Sequence, residues 1–341
     1  MIQWWLIPLV LFASLSLTAA LRKYALSRNI IDVPNARSSH AVPTPRGGGI
    51  AIVAAFLMAA IMLGICEGLP DTTLFSVIGA GGLVAIIGFM DDRGHIAARW
   101  RLLGHFMAAA WALIWLGGFP QITVVGVALD LGWLGAGFAA IYLVWLLNLY
   151  NFMDGIDGIA SVEAVFASAG MSLLYWLAGF EQLSVLPMLL AVAVCGFLYW
   201  NFPPAKIFMG DAGSGFLGIV LGVFSLQAAH QDSRLFWAWL ILLGVFIVDA
   251  TLTLLRRMLQ GQRVYEAHCS HAYQHAARQY GKHLPVTLGV LALNIFWLFP
   301  LAFAVVCLGL DGAVGVLLAY APLAALALRF RAGRPEEKRA N

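Results

Sequence analysis

The stretch Gly47-Gly48-Gly49-Ile50-Ala51-Ile52-Val53-Ala54-Ala55-Phe56-Leu57-Met58-Ala59-Ala60-Ile61-Met62-Leu63-Gly64-Ile65-Cys66 carries no charged side chain. An α-helix rises about 1.5 Å per residue and the hydrocarbon core of a bilayer is about 30 Å thick, so a run of this length matches one crossing. Similar runs recur on both sides of it. Eleven spans are predicted, over 2–21, 47–66, 72–90, 102–118, 134–150, 159–178, 184–200, 213–229, 236–255, 286–308 and 312–328. The 341 residues are 62% hydrophobic and 11% charged, whereas a soluble domain carries about 25% charged residues. The fold class expected is therefore all-α, a polytopic membrane protein in one integral domain, 1–341. The segment 119–133 has alternating β-branched residues between glycines and predicts a small external β-hairpin.

Charge sets the expected orientation. The first apolar run is followed, not preceded, by Arg22 and Lys23, which argues for an uncleaved span with its N-terminus outside. Alternate loops then face the cytoplasm: 22–46, 91–101, 151–158, 201–212, 256–285 and 329–341. With their span ends they hold 19 of the 20 Lys and Arg residues, Arg234 being the exception. The net charge of +3 thus reports topology and contact with anionic headgroups, not nucleic-acid binding. The four cysteines form no paired motif and imply no disulfide framework. The polar tail 331–341 is expected to fray.

Acids gather in the same loops, inside short motifs. In Gly88-Phe89-Met90-Asp91-Asp92-Arg93 two adjacent carboxylates repel, and a Mg²⁺ ion with phosphate chemistry would relieve them; a solvated acidic span end is the ordinary alternative. In Asn148-Leu149-Tyr150-Asn151-Phe152-Met153-Asp154-Gly155-Ile156-Asp157-Gly158 the glycine turns allow close backbone approach to a ligand. Asp154 and Asp157 suit a metal or the donors of a sugar or base, and Asp157 also suits a helix cap. In Asn201-Phe202-Pro203-Pro204-Ala205-Lys206-Ile207-Phe208-Met209-Gly210-Asp211-Ala212-Gly213-Ser214-Gly215 a helix start rich in glycine amides suits phosphate. Asp211 offers a hard oxygen to Mg²⁺, Lys206 a neutralising charge, and Phe208 a stacking face. Lys206 also reads as a topology marker and Phe208 as part of an interfacial aromatic belt.

The loop 256–285 contains His268-Cys269-Ser270-His271 and His275 beside Arg256, Arg257, Arg263, Arg278 and Lys282. Cationic or donor histidines on phosphate fit that charge; a zinc site and a solvated polar loop are the competing readings. Glu163 and Asp249 are acids within spans, which are functional candidates by default. Asp249 is read as structural, paired with Arg256 or a helix neighbour. Ser38-Ser39-His40 and Pro43-Thr44-Pro45-Arg46-Gly47-Gly48-Gly49 shape a tight re-entry into the second span, able to admit a phosphate or nucleoside.

Taken in order, FMDD, NxxNFMDGIDG and FMGDAGS resemble the polyprenyl-phosphate N-acetylhexosamine-1-phosphate transferases. That family includes the phospho-MurNAc-pentapeptide translocase of peptidoglycan synthesis and the initiators of O-antigen and enterobacterial common antigen. The resemblance runs from Pro43 to the His275 loop. It implies transfer of a sugar-1-phosphate from a UDP-sugar to undecaprenyl phosphate with release of UMP, and requires Mg²⁺, with Mn²⁺ as a substitute. It implies Asp91 and Asp92 at the lipid phosphate and metal, Asp211 with Asp92 as metal ligands, and His268 and His271 at the diphosphate or sugar. His40, Asn148, Asn151, Asp154, Asp157, Asn201, Lys206 and Phe208 are the implied substrate contacts. The loop sequence His-Cys-Ser-His lacks the consecutive histidines of the peptidoglycan branch and resembles the O-antigen-initiating branch, whose sugars include GlcNAc and 6-deoxy-HexNAc such as FucNAc or QuiNAc.

The expected partners are a UDP-N-acetylhexosamine, undecaprenyl phosphate, the lipid bilayer and a second copy in a homodimer, with no nucleic acid. The expected site is the cytoplasmic face of a bacterial inner membrane. A multi-span transporter or flippase is the rival from another class; it predicts acids near the midplane and repeated halves. A membrane assembly subunit is a third reading and leaves the ordered aspartates unexplained.

Overall fold

A computed structural model of the chain describes residues 5–34, 39–40, 42–94, 96–262 and 268–334. Ser38, Arg263, residues 2–4 of the first predicted span and 335–341 of the tail lie outside the described residues. The described chain is a helical bundle. Without water to satisfy peptide groups, a spanning segment must satisfy its own, which a helix does.

The helices are α1 (Leu6–Ser27), α2 (Gly49–Glu67), α3 (Asp71–Gly94), α4 (Ala98–Leu116), α5 (Gly132–Met153), α6 (Ile159–Leu177), α7 (Glu181–Asn201), α8 (Asp211–Gln231), α9 (Ser233–Leu242), α10 (Gly244–Leu259), α11 (Ala272–Tyr280), α12 (Leu284–Leu293), α13 (Phe299–Cys307) and α14 (Gly312–Arg329). A π-helical turn, Asn294–Leu298, joins α12 to α13.

Every predicted span meets a helix, but the eleven do not stand alike. Among the described residues nine helical segments are continuous, long and apolar enough to cross a membrane. The span predicted over 236–255 is two helices, α9 and α10, bent by 70° at their junction. The span predicted over 102–118 is α4, whose opening turn carries Arg99 and Arg101 and which falls outside the nine. The predicted hairpin is present as β3 (Ile122–Val124) and β4 (Val127–Leu129), after a first short pair, β1 (Ile31–Asp32) and β2 (Thr44–Pro45). Its turn residues Val125 and Gly126 both have positive φ, 48° and 75°, the twist that a two-residue hairpin favours. Trp237 Nε1 ties it to α9 by donating to the Thr123 carbonyl at 2.9 Å.

α8 is the axis of the bundle. It is buried along nearly its whole length, whereas α1 and α14 leave most of theirs at the surface. Small residues permit this: a Cβ on Gly218 would stand 2.7 Å from Leu147 Cα of α5, so the two backbones pass in contact. α2, α3, α5 and α9 surround α8. Its N-terminus, at Asp211, therefore opens among the ends of α3 and α5, where the other aspartates sit.

The tail departs from expectation. Residues 331–334 do not fray but dock: Gly333 N donates to Ser270 O at 2.8 Å, and Arg256 Nη1 donates to Ala332 O at 2.8 Å. The reason is that the turn closing α14 leaves backbone groups that the histidine loop and α10 can satisfy.

Candidate active site

Three segments far apart in sequence meet at the start of α8. Asp92, at the end of α3, accepts from Asp211 N at 3.2 Å and from Ala212 N at 3.3 Å. A helix start leaves such amides without intrahelical partners and carries partial positive charge. The approach needs glycine at the preceding position. Gly210 has φ 80°, and a Cβ there would stand 2.7 Å from Asp92 Oδ2. Arg46 donates to the Asp92 carbonyl and fixes the end of α3 from the other side.

Asp211 Oδ1 accepts from Asn151 Nδ2 at 3.0 Å, and the same amide donates to Ser214 Oγ at 2.9 Å. Asp91 is held differently. Its Oδ1 accepts from Ile96 N at 2.7 Å and its Oδ2 from Arg101 Nη1 at 2.5 Å. The same guanidinium nitrogen is 3.7 Å from Asp211 Oδ2, so one arginine bridges two of the predicted site acids. Asp154 faces the same crowd. Its burial, and the charges of Asp211, Asp92 and Asp157, hold its carboxyl well above the usual carboxylate range.

That excess of negative charge fits a divalent cation, and its donors are hard oxygens. Among the described residues, however, no three His, Cys, Asp or Glu side chains converge into a ready cage. Mg²⁺ commonly uses one or two carboxylates, several waters and the substrate's phosphates. The residues therefore fit an ion that completes its shell with a bound diphosphate, with Asp211 Oδ2 and Asp92 as the protein oxygens.

Beside this cluster lies a cavity of about 460 Å³ lined by Ser39, His40, Asp157, Ala205, Phe208 and His283, among others. β2 and the loop after α7 build it together: Phe208 N donates to Pro45 O at 2.8 Å, and Gly48 N and Gly49 N donate to Phe208 O and Met209 O, both at 2.9 Å. This register sets the His40 ring against the Phe208 ring, centroids 4.8 Å apart. Asp157 Oδ2 accepts from Ala205 N at 3.0 Å, and its Oδ1 is 3.1 Å from His283 Nδ1. Asn201 is buried and fully engaged: it donates to Ile207 O at 3.0 Å and accepts from Gly158 N at 3.1 Å and Ser161 Oγ at 3.2 Å. It thus shapes both loops and has no oxygen left facing the cavity.

The histidine loop roofs the second motif. Asp249 accepts from Ala272 N at 2.9 Å and Tyr273 N at 3.0 Å, capping α11, and lies 3.4 Å from His271 Nδ1. Its partners are this helix start and a helix neighbour, Thr253, whose Oγ1 donates to Asp249 Oδ1 at 3.1 Å, not Arg256. His271 stacks on His268 at 4.9 Å, and both rings lie 6.4 Å from Phe152. Tyr273 Oη donates to Phe152 O at 2.9 Å and locks the loop to α5. Burial, then the charges of His271 and Arg257, push the His268 ring down to about 3; near neutral pH it is a neutral donor or acceptor, not a cation.

Three predicted residues stand apart from this convergence. Asn148 donates to Val144 O at 2.7 Å on its own helix and lies 3.4 Å from His105. Lys206 is exposed and turns away from the cavity, its ammonium 5.2 Å and 5.4 Å from the Tyr199 and Trp200 rings. Glu163 is fully buried and accepts from Asn294 Nδ2 of the π-helical turn at 2.6 Å. The sequence singles out neither Arg101 nor His283, and names Arg46 only within the re-entry segment 43–49: Arg101 reads as one of the positive loop residues, and His283 belongs to no motif.

The sequence profile of glycosyl transferase family 4 matches residues 74–229, which contain all five motif aspartates. A decaprenyl-phosphate N-acetylglucosaminephosphotransferase of Mycolicibacterium smegmatis is 30% identical over 286 residues, 73% of this chain and 70% of that protein. The chain belongs to the polyprenyl-phosphate N-acetylhexosamine-1-phosphate transferases of glycosyl transferase family 4. A probable undecaprenyl-phosphate N-acetylglucosaminyl 1-phosphate transferase of Bacillus subtilis is 27% identical over 268 residues, 77% of this chain and 74% of the relative. A phospho-N-acetylmuramoyl-pentapeptide-transferase of Rhodopseudomonas palustris is 29% identical over 259 residues, 65% of this chain and 70% of the relative. The chain is thus a membrane enzyme of the polyprenyl-phosphate phosphotransferase class. Within this family-4 transferase the matched region ends before the histidine loop, which joins the site only through the fold.

Proposed function

We propose that this transferase moves a HexNAc-1-phosphate from a UDP-N-acetylhexosamine to undecaprenyl phosphate, releasing UMP, at the cytoplasmic face of a bacterial inner membrane. The sugar proposed is GlcNAc or a 6-deoxy-HexNAc such as FucNAc or QuiNAc, and the role is to initiate O-antigen or a related envelope glycan. The observation that carries the reading is the seating of Asp92 on the α8 amides beside Asp211, Asn151, Asp91 and Arg101, next to a cavity with an aromatic wall.

In this reading the cavity takes the nucleoside, with Phe208 and His40 against the base and Asp157 at its polar edge. The diphosphate extends toward the start of α8. Mg²⁺, when bound with the diphosphate by Asp211 and Asp92, supplies charge neutralisation and alignment. An oxygen of the lipid phosphate attacks the β-phosphorus, the bond from that phosphorus to the bridging oxygen breaks, and UMP leaves with the electron pair. A phosphomonoester loses its second proton near pH ~6, so the nucleophile needs no strong base. Both oxygens of Asp91 are already engaged by Ile96 N and Arg101, which suits positioning better than proton removal. His268, a neutral ring near neutral pH, faces the sugar phosphate in this reading, with the His271 ring stacked on it. A double-displacement route, in which Asp91 attacks the β-phosphorus and UMP leaves, would leave a HexNAc-1-phosphoryl group on Asp91 when UDP-sugar is supplied alone.

The test is purified enzyme with undecaprenyl phosphate and a panel of UDP-sugars, UDP-MurNAc-pentapeptide included, scoring UMP and lipid product. Asp211→Asn should remove Mg²⁺-dependent UMP release at unchanged expression. Unchanged turnover in that variant, or turnover of the pentapeptide donor alone, overturns the reading.

A further inference from the structure

The loop 202–210 has two faces. Its inner face walls the cavity through Ala205 and Phe208. Its outer face carries Lys206, and there the α1 helix brings Arg22 alongside: Arg22 Nε donates to the Lys206 carbonyl at 3.1 Å. The guanidinium carbon lies 6.0 Å from the Trp200 ring, and Lys206 Nζ lies 5.4 Å from that same ring and 5.2 Å from Tyr199. The shelf beneath them is fixed. Trp200 Nε1 donates to Leu15 O at 3.1 Å, Tyr199 packs edge-on at 5.3 Å, and Lys206 N donates back to Trp200 O at 2.8 Å.

We propose that Arg22 and Lys206, held on the Tyr199–Trp200 shelf, form a binding site for the phosphate of an anionic phospholipid. Two cations that share one indole repel each other, yet neither pairs with a carboxylate among the described residues. A ring face accommodates one side of each cation; several N–H donors of each remain for a ligand. Two convergent cations with spare donors call for an anion with several acceptor oxygens, which a phosphate ester has.

The surroundings select a lipid source. Tyr199 and Phe202, at the end of α7, and Tyr24 and Leu26, in the last turn of α1, are exposed, aromatic and apolar surface suited to the headgroup boundary. α1 and α7 both end here, so the site faces the bilayer and not the cavity. Because the inner face of the same loop walls that cavity, an occupied outer face steadies the wall; this consequence alone rests on the donor occupying the cavity.

The experiment is native mass spectrometry of the full chain released from bilayers of phosphatidylcholine with phosphatidylglycerol, counting retained phosphatidylglycerol. A cation in direct contact with the lipid phosphate contributes roughly fivefold in affinity, so Arg22→Gln with Lys206→Gln should lower retention about twenty-five-fold. Lys206→Gln alone changes an exposed side chain, keeps the fold, and should lower retention about fivefold. Lys23→Gln with Arg28→Gln removes the same charge nearby and should leave retention unchanged. Equal losses in both double variants would reduce the site to a diffuse basic rim and overturn the proposal. Displacement of the phospholipid by inorganic phosphate, or by polyprenyl phosphate at equal concentration, would overturn the assignment to a phospholipid.

Discussion

His283 Nδ1 stands 3.1 Å from Asp157 Oδ1, and the Nε2 edge of the same ring donates to the Ser39 carbonyl at 2.9 Å. Burial is the largest single influence and opposes charge on both partners, but their mutual hydrogen bond and attraction, with backbone hydrogen bonds at Ser39 and Ala205, together outweigh it: His283 is held above its ordinary 6.5 and Asp157 below its ordinary 3.8. The signs follow by linkage. The His283 contribution is full below 6.5 and is lost as pH rises through its raised value. The Asp157 contribution is full above 3.8 and is lost as pH falls through its lowered value. His40 and Lys282 line the same cavity, so they face this pair too. Donor KM should therefore be lowest between those limits and climb on the alkaline side. In His283→Gln the alkaline limb should vanish and donor KM should stand several-fold higher throughout, with kcat less affected. A pH series of donor KM for both proteins checks this.

Arg101 contacts Asp91 at 2.5 Å and reaches within 3.7 Å of Asp211. It competes with any divalent ion for Asp211 while shielding Asp91. In the Arg101–Asp211 pair both side chains are partly exposed, so that contact is screened and worth about 0.2–1 kcal/mol. Arg101→Gln should bind Mg²⁺ two- to fivefold more tightly by calorimetry in the presence of UDP, yet turn over more slowly. Weaker Mg²⁺ binding in the variant would contradict the competition.

Asn151 orients Asp211 through its amide and holds Ser214 with the same nitrogen. Groups that orient a metal-binding carboxylate are worth about 10–100-fold in metal affinity or activity. Asn151→Ala should raise the Mg²⁺ concentration for half-maximal rate by that order. Asn151→Asp adds a charge to a crowd that already raises Asp154, and should be the poorer enzyme at neutral pH. Mg²⁺ titrations of UMP release compare the two.

Gly88 lies where α3 crosses the start of α8. A Cβ there would stand 2.5 Å from Ala212 N, a backbone atom that cannot step aside alone. Gly88→Ala should cost about 1–3 kcal/mol, as overpacking does, and should lose more activity than stability because Asp92 is pulled off its amides. Gly82→Ala meets nothing within 4 Å and serves as the control. Thermal unfolding and turnover measured side by side decide it.

Asp249 caps α11 with both oxygens. Asp249→Ala should cost about 0.5–2 kcal/mol, as loss of a helix cap does. The loss should be local, read as faster amide exchange across 268–280, with His268 and His271 losing their register over Phe152. Unaltered exchange there would mean that Tyr273 alone docks the loop.

The chain itself determined that this is a helical membrane protein. Hydropathy runs and charge bias act residue by residue, through the cost of burying charge or an open peptide group in lipid, and so can be read without contacts. The hairpin at 122–129 was legible for the same local reason, alternation bounded by glycine. The five aspartates and their motif order were also legible, because acids, glycines and asparagines grouped in short loops between apolar runs stand out by residue type alone.

Tertiary structure decided how those residues divide the work. Asp92 sits on α8 amides 119 residues away, and Asp249 caps a helix 23 residues on. Lys206 faces outward beside Arg22, although its motif suggested an inward role. Neither Arg101 nor His283 could be found from local pattern, since each acquires its meaning from a carboxylate that only packing brings near. A side chain's type is written in the sequence, but its direction and partners depend on which helix ends meet, and here that depends on glycines that let α3, α5 and α8 touch backbone to backbone.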